Sequence, residues 1–142
     1  MKNWAEGLVA LGVTVVIGLG MWLFSGRPIG GAADEDGGSR VSYDTAAAAR
    51  GEALAAATGC LACHAIDGSA GTGPGWQGLA GSTVTLDNGE TVLADDAYLF
   101  NSIVDPQSQV VSGFDAVMPT TYSDSLSETE IQDLVEYIKS LA

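Results

Sequence analysis

Both cysteines and the only histidine of this 142-residue chain fall within five residues, Cys60-Leu61-Ala62-Cys63-His64. That clustering limits what the chain can fold around. A structural zinc site draws four ligands from Cys and His, and the chain has three. A thioredoxin-like redox pair needs a βαβ setting and leaves His64 without a role. A disulfide from Cys60 to Cys63 closes too short a loop to stabilise much. The Cys-x-x-Cys-His spacing is that of a covalent c-type haem attachment site. Two thiols one helical turn apart add to the two vinyl groups, and the next residue turns its imidazole to the iron.

His64 is the proximal ligand by elimination, since no other histidine exists. Of the three methionines, Met1 opens the chain and Met21 lies in an apolar run, which leaves Met118 as the candidate sixth ligand. The alternatives are that Met118 is a packing residue and that the iron is five-coordinate or takes Lys139. A His/Met pair fills both axial positions and raises the potential, which suits electron transfer rather than oxygen chemistry.

The charge pattern divides the chain. Its net charge is -13, which excludes a sequence-independent nucleic-acid binder, because that function needs a dense basic face. Mean hydropathy is nevertheless positive, at +0.22. The apolar residues are concentrated from Gly7 to Phe24, where no residue is charged and Thr14 carries the only polar side chain. As a helix this run spans ~27 Å, about a bilayer core. It is longer than the 7–15 residues typical of a secretory signal, although Gly31-Ala32-Ala33 resembles a cleavage site. The expectation is a retained single-span anchor over residues 1–24. Gly7, Ala10, Thr14 and Gly18 form a row of small residues on it, either a face for another helix or the ordinary glycine content of membrane helices.

Residues 25–44 read as a Gly/Asp-rich flexible linker with a mean reach of ~25 Å. Residues 45–142 read as the haem domain. Between Val41 and Ala142 lie 14 of the 18 carboxylates and two cations, Arg50 and Lys139. This acidity is a solvated surface, an adaptation to salt, or a face that meets a basic partner.

Asp44 or Thr45 caps a predicted helix through Ala46–Ala57, ended by Thr58-Gly59. Thr83–Leu86 and Thr91–Ala94 alternate around Asn88-Gly89, a hairpin signal. A short helix starts at Asp95 or Asp96 and stops near Val104, before Asp105-Pro106. Ser127-Glu128-Thr129-Glu130 is a capping box, and Ile131, Leu134, Val135, Ile138 and Leu141 form the stripe of a last helix. Large aliphatic residues are few, so a bulky apolar prosthetic group would complete the core.

From about Ala46 to the end, the sequence resembles class I c-type cytochromes. The matching pieces are Arg50-Gly51-Glu52-Ala53-Leu54, Gly59 to His64, Gly73-Pro74-Gly75-Trp76-Gln77-Gly78-Leu79-Ala80-Gly81, Met118-Pro119 and Leu134 to Ile138. The resemblance implies an all-α class I fold with a small β-hairpin insertion, here preceded by one transmembrane helix. It implies that the first and last helices cross at Gly51. It also implies that the Pro74 carbonyl accepts the His64 Nδ1–H and that Leu79 packs on the haem. Trp76 and Tyr122 either line the haem, reach a propionate or belong to the core.

The hairpin, Tyr98-Leu99, Ser102-Ile103, Asp105-Pro106 and Val117-Met118-Pro119 are similar to the cytochrome c domain fused to subunit II of some haem-copper oxidases. They are similar also to the monohaem cytochrome subunit of alternative complex III. The chain lacks the copper domain and second span of a subunit II.

The function implied is one-electron transfer by a membrane-anchored monohaem protein, not an enzyme in itself. Its partners would be an electron donor, an acceptor and other subunits of a respiratory or photosynthetic membrane complex. The alternatives are a free tethered shuttle, and a five-coordinate haem enzyme or gas sensor. Because haem c is attached outside the bacterial inner membrane, the haem domain is expected on the periplasmic side.

Overall fold

The computed structural model describes residues 41–142. The expected membrane helix and nearly all of the expected linker lie outside the described residues. Among the described residues no helix is long and apolar enough to cross a membrane.

The described chain is mostly helical, with one small hairpin. Helix α1 spans Thr45–Ala57. Asp44 is its cap, with one carboxylate oxygen accepting from the amides of Ala46 and Ala47 at 2.8 Å each. Those two amides hold the Asp44 carboxyl below its usual range. The Thr58 hydroxyl donates to the Leu54 carbonyl at 2.8 Å, and Gly59 turns the chain away at φ 82°. A single 3-10 turn, Cys60–Ala62, follows at once.

Strands β1 (Thr83–Thr85) and β2 (Thr91–Leu93) pair antiparallel, with Val84 opposite Val92. The Asn-Gly signal finds the hairpin but not its turn. A two-residue type I′ turn needs positive φ at both central residues, and here only Gly89 has it, at 86°. The Leu86 amide donates to the Glu90 carbonyl at 2.8 Å and the Gly89 amide to the Leu86 carbonyl at 3.0 Å. The loop is therefore three residues, Asp87-Asn88-Gly89.

Helix α2 is Asp96–Val104, capped by Asp95 and ended before Pro106. A four-residue helix α3, Tyr122–Ser125, was not expected from the sequence. Helix α4 is Glu128–Ser140, and both bonds of the Ser127/Glu130 capping box are present.

Helices α1 and α4 make the most extensive helix contact. They meet at Gly51, where a Cβ would lie 2.0 Å from the Asp133 carbonyl oxygen and 2.9 Å from the Tyr137 Cβ. Only glycine permits that approach. Beside it Arg50 grips the buried Asp133 carboxylate with two bonds of 2.7 Å. A Gly51→Ala change gains about 1 kcal/mol of helix propensity. It forces backbone apart at a cost of about 3 kcal/mol, the upper range for overpacking. The net loss of about 2 kcal/mol should lower the melting temperature of this domain by roughly 8–16 °C. A thermal melt that moves by less than a few degrees would show that the crossing can relax.

The buried face of α4 is broader than the predicted stripe. Ile131, Leu134, Val135 and Ile138 are buried as expected, but so are Asp133, Tyr137 and Lys139. Much of the remaining core is small: Ala47, Ala48, Ala55, Ala80 and Ala94. These alanines bring the helices close, and the larger apolar side chains of α2 and α4 face a cleft.

Candidate haem site

Cys60 opens the 3-10 turn and Cys63 directly follows it, and both are free thiols, Cys60 half-buried and Cys63 exposed. The His64 amide donates to the Cys60 carbonyl at 3.0 Å, which places the imidazole one turn on. His64 Nδ1 lies 2.8 Å from the Pro74 carbonyl oxygen. A carbonyl can only accept, so Nδ1 carries the proton and Nε2 keeps a free lone pair. Burial pushes the His64 pKa down, and the Pro74 bond opposes this only in part.

The imidazole is supported on one face, and that support is itself braced. Trp76 stacks on it at 5.2 Å with 21° between the rings, and Tyr137 meets Trp76 edge-on at 6.0 Å. A Cβ at Gly73 would come within 2.6 Å of His64 Cε1, so that glycine leaves the ring its room. Trp76 is itself buried and belongs to the core as well as to the site.

These residues line one cleft, with about 1290 Å³ of empty space when its open mouth is included. Cys60, Cys63, His64, Pro74, Trp76 and Leu79 contribute to it, as do Met118 and Tyr122. Met118 is half-buried and reaches the cleft from a loop remote in sequence from His64. The Tyr122 hydroxyl donates to the Thr58 carbonyl at 3.4 Å, and burial raises its pKa.

Lys139 is not brought to the cleft. Its ammonium donates to Glu136 at 2.7 Å and to Asp96 at 2.9 Å. Burial lowers its pKa, but the two carboxylates outweigh that and the net shift is upward. A protonated, doubly paired amine has no lone pair to offer a metal.

Part of the wall was not singled out as site from the sequence. Tyr98, Leu99, Ser102 and Ile103 present one face of α2 to the cleft, and Val111 and Phe114 close it from the following loop. The spacing i, i+1, i+4, i+5 on a short helix was the available signal.

The residues fit a haem. The lining is mainly apolar, two thiols and an imidazole with a free Nε2 stand together in it, and a thioether sulfur is available from Met118. The fold and this cleft define a haem-binding helical domain of the class built on Cys-x-x-Cys-His. The sequence profile described as cytochrome c matches residues 48–142, and the chain belongs to the cytochrome c family. Comparison with curated proteins finds no relative of significant similarity. Membership implies an electron carrier with covalently bound haem c, and the spacing of Cys60 and Cys63 suits one such group.

Proposed function

We propose that the protein is a membrane-anchored one-electron carrier that works as a subunit of a respiratory or photosynthetic electron-transfer complex. The observation that carries the electron-carrier part of this reading is the gathering of Cys60, Cys63, His64 and Met118 around one apolar cleft. When bound, the haem supplies a one-electron Fe(III)/Fe(II) couple. Cys60 and Cys63 would hold it covalently, and His64 and Met118 would supply its protein ligands.

The chain's own residues set the working conditions. The Pro74 carbonyl fixes the His64 tautomer and keeps Nε2 aimed away from its own hydrogen bond. Trp76 holds the ring plane against rotation. Leu79, Leu99 and Ile103 exclude water from the walls, which disfavours added positive charge and raises the potential. Met118 closes the position that oxygen would need.

The uncharged run Gly7–Phe24 supports the anchor, and the row Gly7, Ala10, Thr14 and Gly18 supports a partner helix. Attachment chemistry on the outer side of the membrane supports a periplasmic haem domain with the N-terminus inside. The glycines of residues 25–44 favour a second reading, a free shuttle on a tether.

Solubilising native membranes in mild detergent separates the two. The subunit reading expects this haem protein to migrate with a larger assembly that holds further redox centres. Migration of the protein alone, under conditions that preserve other complexes, removes the subunit role and leaves the shuttle.

A further inference from the structure

The segment from Gln109 to Thr120 carries Met118 and contains no helix or strand of its own. Among the described residues, only two hydrogen bonds join it to the rest of the fold, and both go to the hairpin. The Asp87 amide donates to the Val110 carbonyl at 2.9 Å, and the Ser112 amide donates to the Thr85 carbonyl at 2.9 Å. Between them Leu86 and Val111 form an antiparallel bridge. Leu86 is buried in the core, and Val111 packs against that core while lining the cleft. The segment's other backbone bonds are internal, Phe114 to Val111 and Val117 to Asp115.

We propose that the hairpin is a strut that positions the Met118 loop, with the Asp87 amide as its positioning group. The inference rests on the reading of Met118 as an iron ligand. A loop with only two internal backbone bonds pays for its order in conformational entropy. Two backbone bonds and one partly buried side chain packed on the core, made six to eight residues before Met118, supply a fixed starting point for it. The three-residue turn is shaped for this task. In a two-residue turn Asp87 would face the partner strand of the hairpin, whereas here its amide points outward to Val110.

Substituting Asp87 isolates the contact. Asp87 follows Leu86 at the first central position of a turn closed by the Gly89-to-Leu86 bond, a position that favours proline. Asp87→Pro therefore deletes the amide donor and leaves the hairpin turn supported. Asp87→Ala removes the exposed carboxylate and keeps the amide. Met118→Leu reports the fully open site.

The readout is carbon monoxide uptake by the reduced holoprotein, together with its midpoint potential. Asp87→Pro should take up carbon monoxide about tenfold faster than the parent, the weight of one lost backbone bond. Its potential should shift toward that of Met118→Leu, while Asp87→Ala behaves as the parent. If Met118→Leu takes up the gas but Asp87→Pro does no more than Asp87→Ala, the strut is wrong and the ligand reading stands. If Met118→Leu itself leaves uptake and potential unchanged, the ligand reading fails and the strut falls with it. Amide exchange in the unaltered holoprotein gives a test independent of any variant's folding. Asp87 and Ser112 amides should be protected, and free exchange at either overturns the proposal.

Discussion

The Cys60→Ala/Cys63→Ala double variant is expected to emerge without covalent haem and without a stable fold. The walls of the cleft explain why. Leu79, Leu99, Ile103, Leu134 and Ile138 all line it, and the last four are half of the eight buried valine, leucine and isoleucine side chains among the described residues. Elsewhere the core combines Val84, Leu86, Ile131, Val135 and Tyr137 with Ala47, Ala48, Ala55, Ala80 and Ala94, which bury little area each. An apolar group seated against those walls contributes about 25 cal/mol for each Å² it covers. Total stabilities of domains this size are only about 5–15 kcal/mol. Losing several kcal/mol of wall burial therefore leaves little or nothing. Circular dichroism should show most of the α1 and α4 helix signal gone, and no cooperative melt should remain. A double variant that melts cooperatively near the parent temperature would mean that the helix crossing at Gly51 holds the fold unaided.

What could be read from the sequence follows how local each requirement is. Haem attachment binds through contiguous residues, so Cys60, Cys63 and His64 were legible as a unit. Caps are local too, and Asp44, Asp95 and Ser127 act as their positions suggest. Pro74 was legible only through resemblance, because an accepting carbonyl leaves no mark on residue type.

The missed features are pairings across long separations. Asp133 and Lys139 look like outward polar positions of an amphipathic helix. They are buried because Arg50 and Asp96, on other helices, meet their charges. The wall formed by α2 was hidden for a related reason. Nine residues give too few turns for a stripe, and Tyr98 and Ser102 carry hydroxyls that read as polar. The bonds from the hairpin to Val110 and Ser112 are backbone to backbone, and no side-chain pattern encodes them.

Met118→Leu should be the most informative single change at the site, because leucine keeps the volume and removes the sulfur. If Met118 only packs, a swap of this kind costs less than about 1.5 kcal/mol and nothing else changes. If its sulfur holds the sixth position, the effects lie elsewhere. The thioether raises the potential, so its loss should lower the midpoint. An axial bond worth even about 3 kcal/mol gates access by a factor of about 100, so uptake of carbon monoxide by the reduced protein should rise at least that much. The thermal stability of the apolar walls should fall only modestly, since Met118 is half-buried and its volume is conserved. Lys139 offers no substitute ligand while Glu136 and Asp96 hold it. A Met118→Leu protein with unchanged potential and no gas uptake would assign Met118 to packing, and electron transfer would then need another account of how the iron is kept closed.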